Sequence, residues 1–220
     1  MVDFQSRDTR PSLGGDDGDD ADDATDDAGG DADAGSDREE AGGHDDHGRH
    51  ADHADHDHRA HDREEVGVGV VTVSSTRTRE DDPAGDAVAS LVREAGHEVV
   101  TRQVVADDYD DIQSVVDDLV DRPAVDVVVT TGGTGITPDD VTIEAIRPLF
   151  EKELPGVGEY FRRRSHEQIG TRAVATRATA GVVDHSLVFA FPGSEDAARL
   201  GAAEVVLPEA PHLVGLAQRE

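Results

Sequence analysis

The sequence has no cysteine, no tryptophan and one methionine, and aromatic residues make up only 3% of its 220 positions. The absence of cysteine excludes disulfides, thiolate zinc sites and cysteine nucleophiles. No apolar run approaches the ~18 residues that a membrane-spanning helix needs, so we expect no membrane protein. The first residues show no basic-then-apolar signal pattern, which favours a cytoplasmic protein.

Positive charge is also scarce. The chain has 50 Asp and Glu residues against 20 Lys and Arg, among them a single lysine, and its net charge is −30. Affinity for DNA or RNA comes mainly from Lys and Arg that neutralise phosphates, so we expect no nucleic-acid partner. Such a charge repels itself in dilute buffer, and molar salt screens the repulsion because the Debye length is then ~3 Å. The acidic N-terminal part alone would skew the count, but residues 66–220 still carry −13. We therefore expect a halophilic protein.

The composition of the chain differs between its first 65 residues and the rest. Residues 1–65 hold 23 acidic and 6 basic side chains and only 13 apolar residues. This composition buries too little apolar surface to fold. Residues 66–220 contain about 64 apolar residues, or about half of the segment once glycine is included, the usual range of globular domains. The sequence therefore predicts a disordered acidic tail over 1–65 and one folded domain over 66–220.

Seven histidines recur at intervals of two or three residues in the tail, interleaved with aspartates. Neutral imidazole beside carboxylate suits Zn²⁺, Ni²⁺ or Cu²⁺, and a metal-binding tail would serve a metal-inserting partner protein. The alternative is a solvated, weakly buffering segment. These histidines are His44, His47, His50, His53, His56, His58 and His61.

Strands and helices alternate in the second part. Continuous β-branched runs such as VGVGVVTV and VDVVVTT are typical of strands buried on both faces. Their alternation with amphipathic helices predicts a doubly wound α/β domain, with a mostly parallel sheet and helices on both faces. The predicted strands are 66–73, 97–105 and 125–131; the predicted helices are 84–95, with Asp82 as N-cap, and a second one capped by Asp107 or Asp108.

In such sheets, ligands bind outside the carboxyl ends of the strands. Polar or glycine-rich segments follow each predicted strand, and we expect them to share one rim. These segments are Ser74 to Thr76, Asp107 with Asp108, and Gly132 to Gly135.

The most distinctive motif of the sequence is the glycine-rich turn TTGGTGITPDDVT. It lacks the Lys-Ser/Thr of a Walker A loop and is not a GxGxxG fingerprint. Backbone amides of glycines can approach a phosphate closely, although such turns are often merely tight. Asp139 and Asp140 follow at once, and Mg²⁺ binds through one or two carboxylates plus phosphate oxygens. One of these aspartates could instead cap a helix that we expect to begin near Asp139.

The run VVVTTGGTGITPDDVTIEAIRPLFEKELPGVGEYFR, followed by IGTRAVATRATAGVV and FAFPGSEDAARL, resembles the MogA/MoaB family of molybdenum-cofactor biosynthesis. The resemblance implies a molybdopterin adenylyltransferase, which transfers AMP from Mg-ATP to molybdopterin and releases pyrophosphate. It also implies a homo-trimer or homo-hexamer. A non-catalytic protein that binds molybdopterin or assembles with partners is the alternative, because binding and catalysis share the pocket.

The resemblance also assigns site residues. It places the two functional aspartates, which we also expect to hold Mg²⁺, at Asp107 and Asp140. Departures from the family pattern are Ala106 for proline, Val157 for phenylalanine and Thr176 for serine. The expected substrate- or nucleotide-binding residues are Gly132, Gly133, Thr134, Gly135, Ser74, Glu159, Arg177, Pro192, Gly193 and Ser194.

Three consecutive arginines, Arg162, Arg163 and Arg164, form a local basic cluster in this acidic chain. They would contact the terminal phosphate of the pterin or form a salt-bridged helix face.

Overall fold

The computed structural model describes residues 62–219. Residues 1–61 of the predicted disordered tail, with its seven histidines, lie outside these residues. The described strands are β1 (Gly67–Val73), β2 (Glu98–Val105), β3 (Val127–Thr131), β4 (Lys152–Glu153), β5 (Thr179–Val183) and β6 (Ser186–Phe191). The α-helices are α1 (Pro83–Glu94), α2 (Tyr109–Val120), α3 (Thr142–Ile146), α4 (Pro155–Ile169), α5 (Glu195–Gly201) and α6 (Leu207–Ala217).

The six strands form one sheet in the order β2-β1-β3-β6-β5-β4. β1 pairs in parallel with β2 and β3, and β3 pairs in parallel with β6. β5 runs antiparallel to both of its neighbours, β6 and β4. The carboxyl ends of β2, β1, β3 and β6 therefore meet along one edge, in that order. The prediction of a doubly wound, mostly parallel sheet is confirmed.

Side chains alternate between the two faces of the sheet and build a separate core on each. On one face, Val70, Val129 and Phe189 are at most 1% exposed and pack beneath α1, α4, α5 and α6. On the other face, Val128 and Val188 are fully buried beneath α2 and α3. This alternation explains why the strands are apolar throughout, since both faces are covered. The result is a three-layer α/β fold.

Helix α1 begins as its sequence predicts. The Asp82 carboxylate accepts a hydrogen bond from the Gly85 amide at 3.0 Å, and Pro83 is the first helical residue. The helix ends at Glu94, one residue before the predicted end. Gly96 follows with a φ of +85°, in the left-handed region that favours glycine.

Helix α3 differs from its prediction. It begins at Thr142 rather than near Asp139, and its N-cap residue, Val141, contributes no side-chain cap. The reason is that Asp140 closes a turn on Thr137: the Asp140 amide donates to the Thr137 carbonyl at 3.0 Å. Neither Asp139 nor Asp140 is therefore the N-cap of this helix.

The residues just before β1 contact the domain. The Arg63 amide donates to the carbonyl of Pro211 at 3.0 Å, and its guanidinium lies 3.3 Å from the Asp126 carboxylate. The Asp62 carboxylate lies 2.7 Å from Nδ1 of His212. Asp62 and Arg63, which the sequence assigns to the tail, are thus held against α6 and the segment before β3. Between residues 62 and 219, no helix is long and apolar enough to cross a bilayer.

Candidate active site

Asp107 lies at the rim, bonded to the loop that follows β1. Its Oδ2 accepts hydrogen bonds from the amide and the hydroxyl of Ser75, at 2.7 and 2.8 Å. The Ser75 hydroxyl in turn accepts from the Asp107 amide at 3.2 Å. The neighbouring Asp108 caps α2, accepting from the amides of Asp110 and Asp111. The capping role therefore falls to Asp108, which leaves Asp107 oriented by Ser75.

At two positions of the turn after β3, close contacts leave room only for glycine. Gly132 has a φ of +106°, and a Cβ there would lie 2.2 Å from the carbonyl oxygen of Val73. Gly133 has a φ of +62°, and its Cβ would lie 2.2 Å from Oγ1 of Thr142. The Thr142 hydroxyl donates to the Gly132 carbonyl at 2.9 Å, and the Thr142 amide donates to the Gly133 carbonyl at 3.0 Å. The turn is therefore closed by α3 and packed against the end of β1.

Asp140 is held by a short polar turn. Its Oδ2 accepts from the amide and the hydroxyl of Thr137, at 2.8 and 2.6 Å. Partial burial would raise the pKa of Asp140. The hydrogen bonds from Thr137 and the Gly135 amide, together with the charge of Arg177, outweigh burial and lower the pKa below the usual aspartate value. Asp140 is therefore ionised at neutral pH.

Arg177 lies behind the glycine turn and is engaged with protein acceptors. Its amide donates to the Thr134 carbonyl at 3.0 Å, its Nε to the Gly135 carbonyl at 2.6 Å and its Nη2 to the Asp140 carbonyl at 2.8 Å. Its Nη1 pairs with Glu144. The hydrogen bond from Arg177 lowers the pKa of Glu144, and partial burial opposes it less strongly. The sequence nominated Arg177 as a ligand-binding cation; the structure shows that its guanidinium links the glycine turn to the Asp140 segment.

The Pro192-Gly193-Ser194 loop lies next to the glycine turn. A Cβ on Gly193 would be 3.0 Å from the Cα of Gly132, and the Gly193 carbonyl accepts from Arg77 Nη1 at 2.8 Å. The hydroxyl of Ser194 caps α5, accepting from the Ala197 amide at 3.3 Å. These contacts bring the loops after β3 and β6 together.

Ser74 is at the rim but bonds mainly within its own loop. Its hydroxyl accepts from the amides of Thr76 and Arg77, both at 3.3 Å. The next residue, Ser75, is the one that contacts Asp107. The sequence analysis placed Ser75 on the rim but did not include it among the expected binding residues. The sequence does not show which of two neighbouring side chains after a strand points toward the site.

Two cavities adjoin these loops. One, of about 250 Å³, is bordered by Thr134, Gly135, Pro192 and Ser194, with apolar walls that include Phe161. The Thr134 hydroxyl is buried and has no hydrogen-bond partner among residues 62–219. Glu159 borders the other cavity, of about 390 Å³, which also reaches Arg177. A larger apolar groove, of about 750 Å³, is lined by residues 154–160 and 203–213, none of which belongs to the rim loops.

Comparison with known proteins identifies the family. The family described as a probable molybdopterin binding domain matches residues 69–212. The chain belongs to this family. Molybdenum cofactor biosynthesis protein B of Bacillus subtilis is 46% identical over 160 residues, which are 72% of this chain and 94% of that relative.

Solved structures agree with this assignment. A crystal structure of molybdenum cofactor biosynthesis protein B has a TM-score of 0.69 and 43% identity, and the match covers 71% of this chain and 98% of that one. The tungsten cofactor synthesizing protein MoaB from Pyrococcus furiosus has a TM-score of 0.64 and 36% identity, with 71% of this chain and 99% of that one covered. The resemblance to the MogA/MoaB family is therefore confirmed.

Three residues at this molybdopterin-binding-family site were missed by sequence reasoning. Thr137 and Ser75 orient the two aspartates, and Thr142 closes the glycine turn. The spacing of Thr137 three residues before Asp140 was an available signal, because threonine and aspartate at this spacing often close a local turn. Ser75 had no such signal, since its partner is 32 residues away.

Proposed function

We propose that the protein is a molybdopterin adenylyltransferase, which transfers AMP from Mg-ATP to molybdopterin and releases pyrophosphate. The observation that carries the proposal is the placement of two oriented carboxylates, Asp107 and Asp140, on the rim that also holds the glycine turn. Membership of the molybdopterin-binding family supports the choice of pterin substrate. The cofactor that results would carry molybdenum or tungsten, the metals named for its relatives.

The two aspartates have the donor chemistry that Mg²⁺ requires. Oδ2 of each carboxylate is fixed by a serine or threonine, while Oδ1 of Asp107 accepts no hydrogen bond from residues 62–219. Mg²⁺ binds through one or two carboxylates plus phosphate oxygens rather than in an all-protein cage. Residues 62–219 contain no group of three or more His, Asp or Glu that could hold a metal, so phosphate oxygens would have to supply the remaining ligands of the proposed site. When bound, Mg²⁺ would neutralise phosphate charge.

The protein also contributes by positioning the reacting groups and by holding the loops of the site in one arrangement. Phosphate-transfer chemistry needs little covalent help from protein and depends on alignment and on neutralised charge. Gly132 and Gly133 allow the turn to pass close to β1 and α3. The Gly132 amide donates to the Phe191 carbonyl at 3.0 Å and the Gly135 amide donates to Asp140, so a phosphate at the rim would be met by the amides of Gly133 and Thr134. Arg177 fixes the carbonyls of Gly135 and Asp140, which holds the turn and the carboxylate in one arrangement.

The deciding experiment is an assay of the purified protein in molar KCl with Mg-ATP and molybdopterin, which follows adenylylated product and pyrophosphate. We expect Asp140→Asn and Asp107→Asn each to lower turnover by about a hundredfold or more, because charge-stabilising groups in such sites contribute on that scale. Asp139→Asn is the matched control: Asp139 is adjacent and exposed, and the substitution removes the same charge.

Full activity in Asp140→Asn would remove this residue from the mechanism. Tight binding of molybdopterin without product in the unmodified protein would instead favour the non-catalytic binding or assembly role. We also propose a cytoplasmic homo-trimer or homo-hexamer, and light scattering of the same preparation measures its mass.

A further inference from the structure

The residues that precede β1 are fixed beside α6, at the end of the sheet opposite to the candidate active site. The Arg63 amide donates to the Pro211 carbonyl of α6 at 3.0 Å, and the Arg63 guanidinium lies 3.3 Å from the carboxylate of Asp126. Asp126 also accepts from the Gly67 amide at 2.9 Å and from Nε2 of Gln218 at 3.1 Å. These contacts lie at the amino ends of β1 and β3, whereas the rim is formed by the carboxyl ends of the parallel strands.

Directly before Arg63, the carboxylate of Asp62 orients a histidine of α6. Oδ1 of Asp62 lies 2.7 Å from Nδ1 of His212, and the two side chains are 31% and 30% exposed, so solutes can reach the pair. Within residues 62–219, Nε2 of His212 forms no hydrogen bond. A neutral imidazole that donates its Nδ1–H to a carboxylate keeps a lone pair on Nε2, and such carboxylate–histidine pairs orient the ligands of metal sites. The pair therefore presents one metal ligand at the domain surface.

Two of the tail histidines are tied to this pair by the covalent chain. His61 directly precedes Asp62, and His58 lies four residues before Asp62. Consecutive Cα atoms are about 3.8 Å apart, so the Cα of His58 lies within ~15 Å of the Cα of Asp62. Both imidazoles are therefore within reach of a metal bound to Nε2 of His212.

We propose that His58, His61 and His212 form a site for a divalent transition metal such as Zn²⁺, with Asp62 holding His212 in position. Three imidazole nitrogens at about 2.0–2.1 Å, with a water or a carboxylate as the fourth ligand, give the tetrahedral geometry that Zn²⁺ adopts. Imidazole also selects Zn²⁺, Ni²⁺ or Cu²⁺ over Mg²⁺ and Ca²⁺. One ligand belongs to the folded domain, so the metal fastens the tail to α6. The site is independent of the proposed function, because it lies at the other end of the sheet.

The first test is calorimetric titration of the full chain with Zn²⁺ in molar KCl. His212→Gln removes the ligand from the domain and should weaken the tightest site by about tenfold or more. Asp62→Asn should also weaken it, since loss of the group that orients a metal-bound histidine costs about 10- to 100-fold in affinity. His166→Gln is the matched control, because it removes one exposed imidazole from α4 and should change the affinity by less than about twofold.

The second test separates a site shared with the domain from a site in the tail alone. A metal that joins the tail to α6 binds the folded chain more tightly than the unfolded chain, so Zn²⁺ should raise the urea midpoint of unfolding. A metal held by tail histidines alone leaves the midpoint unchanged. We expect the rise in the unmodified chain and in His166→Gln, and its loss in His212→Gln and in a variant with both His58→Gln and His61→Gln.

Midpoints measured without Zn²⁺ show whether each variant folds normally, so a loss of the rise cannot be confused with a loss of the fold. Mg²⁺ should not reproduce the difference between His212→Gln and His166→Gln, because imidazole is a poor ligand for Mg²⁺. A midpoint that does not respond to Zn²⁺ in the unmodified chain would overturn the proposal. Equal responses of the two variants would also overturn it.

Discussion

Arg177 joins the glycine turn to the segment that carries Asp140. Its Nε donates to the Gly135 carbonyl at 2.6 Å, and its Nη2 donates to the Asp140 carbonyl at 2.8 Å. A Cβ on Gly135 would lie 2.7 Å from Oδ2 of Asp140, so the turn and the carboxylate are also in direct contact. One side chain thus determines the relative position of two parts of the candidate active site.

We therefore predict that Arg177→Lys lowers kcat by on the order of a hundredfold, because small misplacements of catalytic groups cost that much. Lysine retains the charge but cannot replace the separate donors that reach Gly135, Asp140 and Glu144. Steady-state kinetics in molar KCl measure the effect. Arg199→Lys is the control, because Arg199 forms only an exposed pair with Glu195. Equal kinetics of the two variants would contradict a positioning role for Arg177.

A second prediction concerns the glycine turn. Gly132→Ala should lower the free energy of unfolding by more than about 3 kcal/mol, since the new Cβ both strains the backbone and meets the Val73 carbonyl. Gly96→Ala separates these effects: Gly96 has a φ of +85°, but nothing lies within 4 Å of its Cβ position. That variant should lose about 1 kcal/mol. Urea unfolding in molar KCl gives both values, and similar losses would show that the contact with β1 contributes nothing.

The lowered pKa of Asp140 predicts a pH dependence. A carboxyl whose pKa falls on folding stabilises the protein above its unfolded value, near 4, and this contribution disappears as the pH drops through the folded pKa. Thr137→Val removes the hydroxyl donor and should raise the pKa of Asp140. The acidic limb of the pH–activity profile should then move to higher pH. Thr171→Val, at an exposed position, is the control. If the acidic limb does not move in Thr137→Val, the titration of Asp140 is not the cause of that limb.

The net charge of −30 predicts stabilisation by salt. The Debye length falls from ~10 Å at 0.1 M to ~3 Å at 1 M, which screens repulsion among the carboxylates. The urea midpoint of unfolding should therefore rise across a KCl series from dilute buffer to molar concentration. A midpoint that is constant or falls over this range would exclude a halophilic protein.

The tail histidines predict binding of divalent metal. Neutral imidazole beside carboxylate suits Zn²⁺ and Ni²⁺, so the seven histidines are the candidate ligands. Calorimetry on the full chain, and on a variant with the seven histidines between residues 44 and 61 changed to alanine, tests this. We expect binding only in the unmodified chain; identical titrations would identify the segment as a solvated tail.

Local sequence patterns determined the elements of this protein and the position of its site. Apolar runs buried on both faces specify the parallel strands, and Asp82 with Pro83 specifies the start of α1, because these signals act within a few residues. The glycines that follow β3 could be recognised for the same reason. The short edge strand β4 and the antiparallel β5 were not predicted, since their pairing depends on partners distant in the chain.

Only the tertiary structure decided which of several equivalent side chains takes each role. Asp107 and Asp108 have the same local propensities, and the choice between rim and helix cap depends on Ser75, 32 residues earlier. Arg164 is paired because the π-helical segment Ala202–Val206, which follows α5, brings Glu204 to one side of α4. Hydrogen bonds and ion pairs between distant segments form only when the layers pack together. A local sequence pattern therefore cannot predict them.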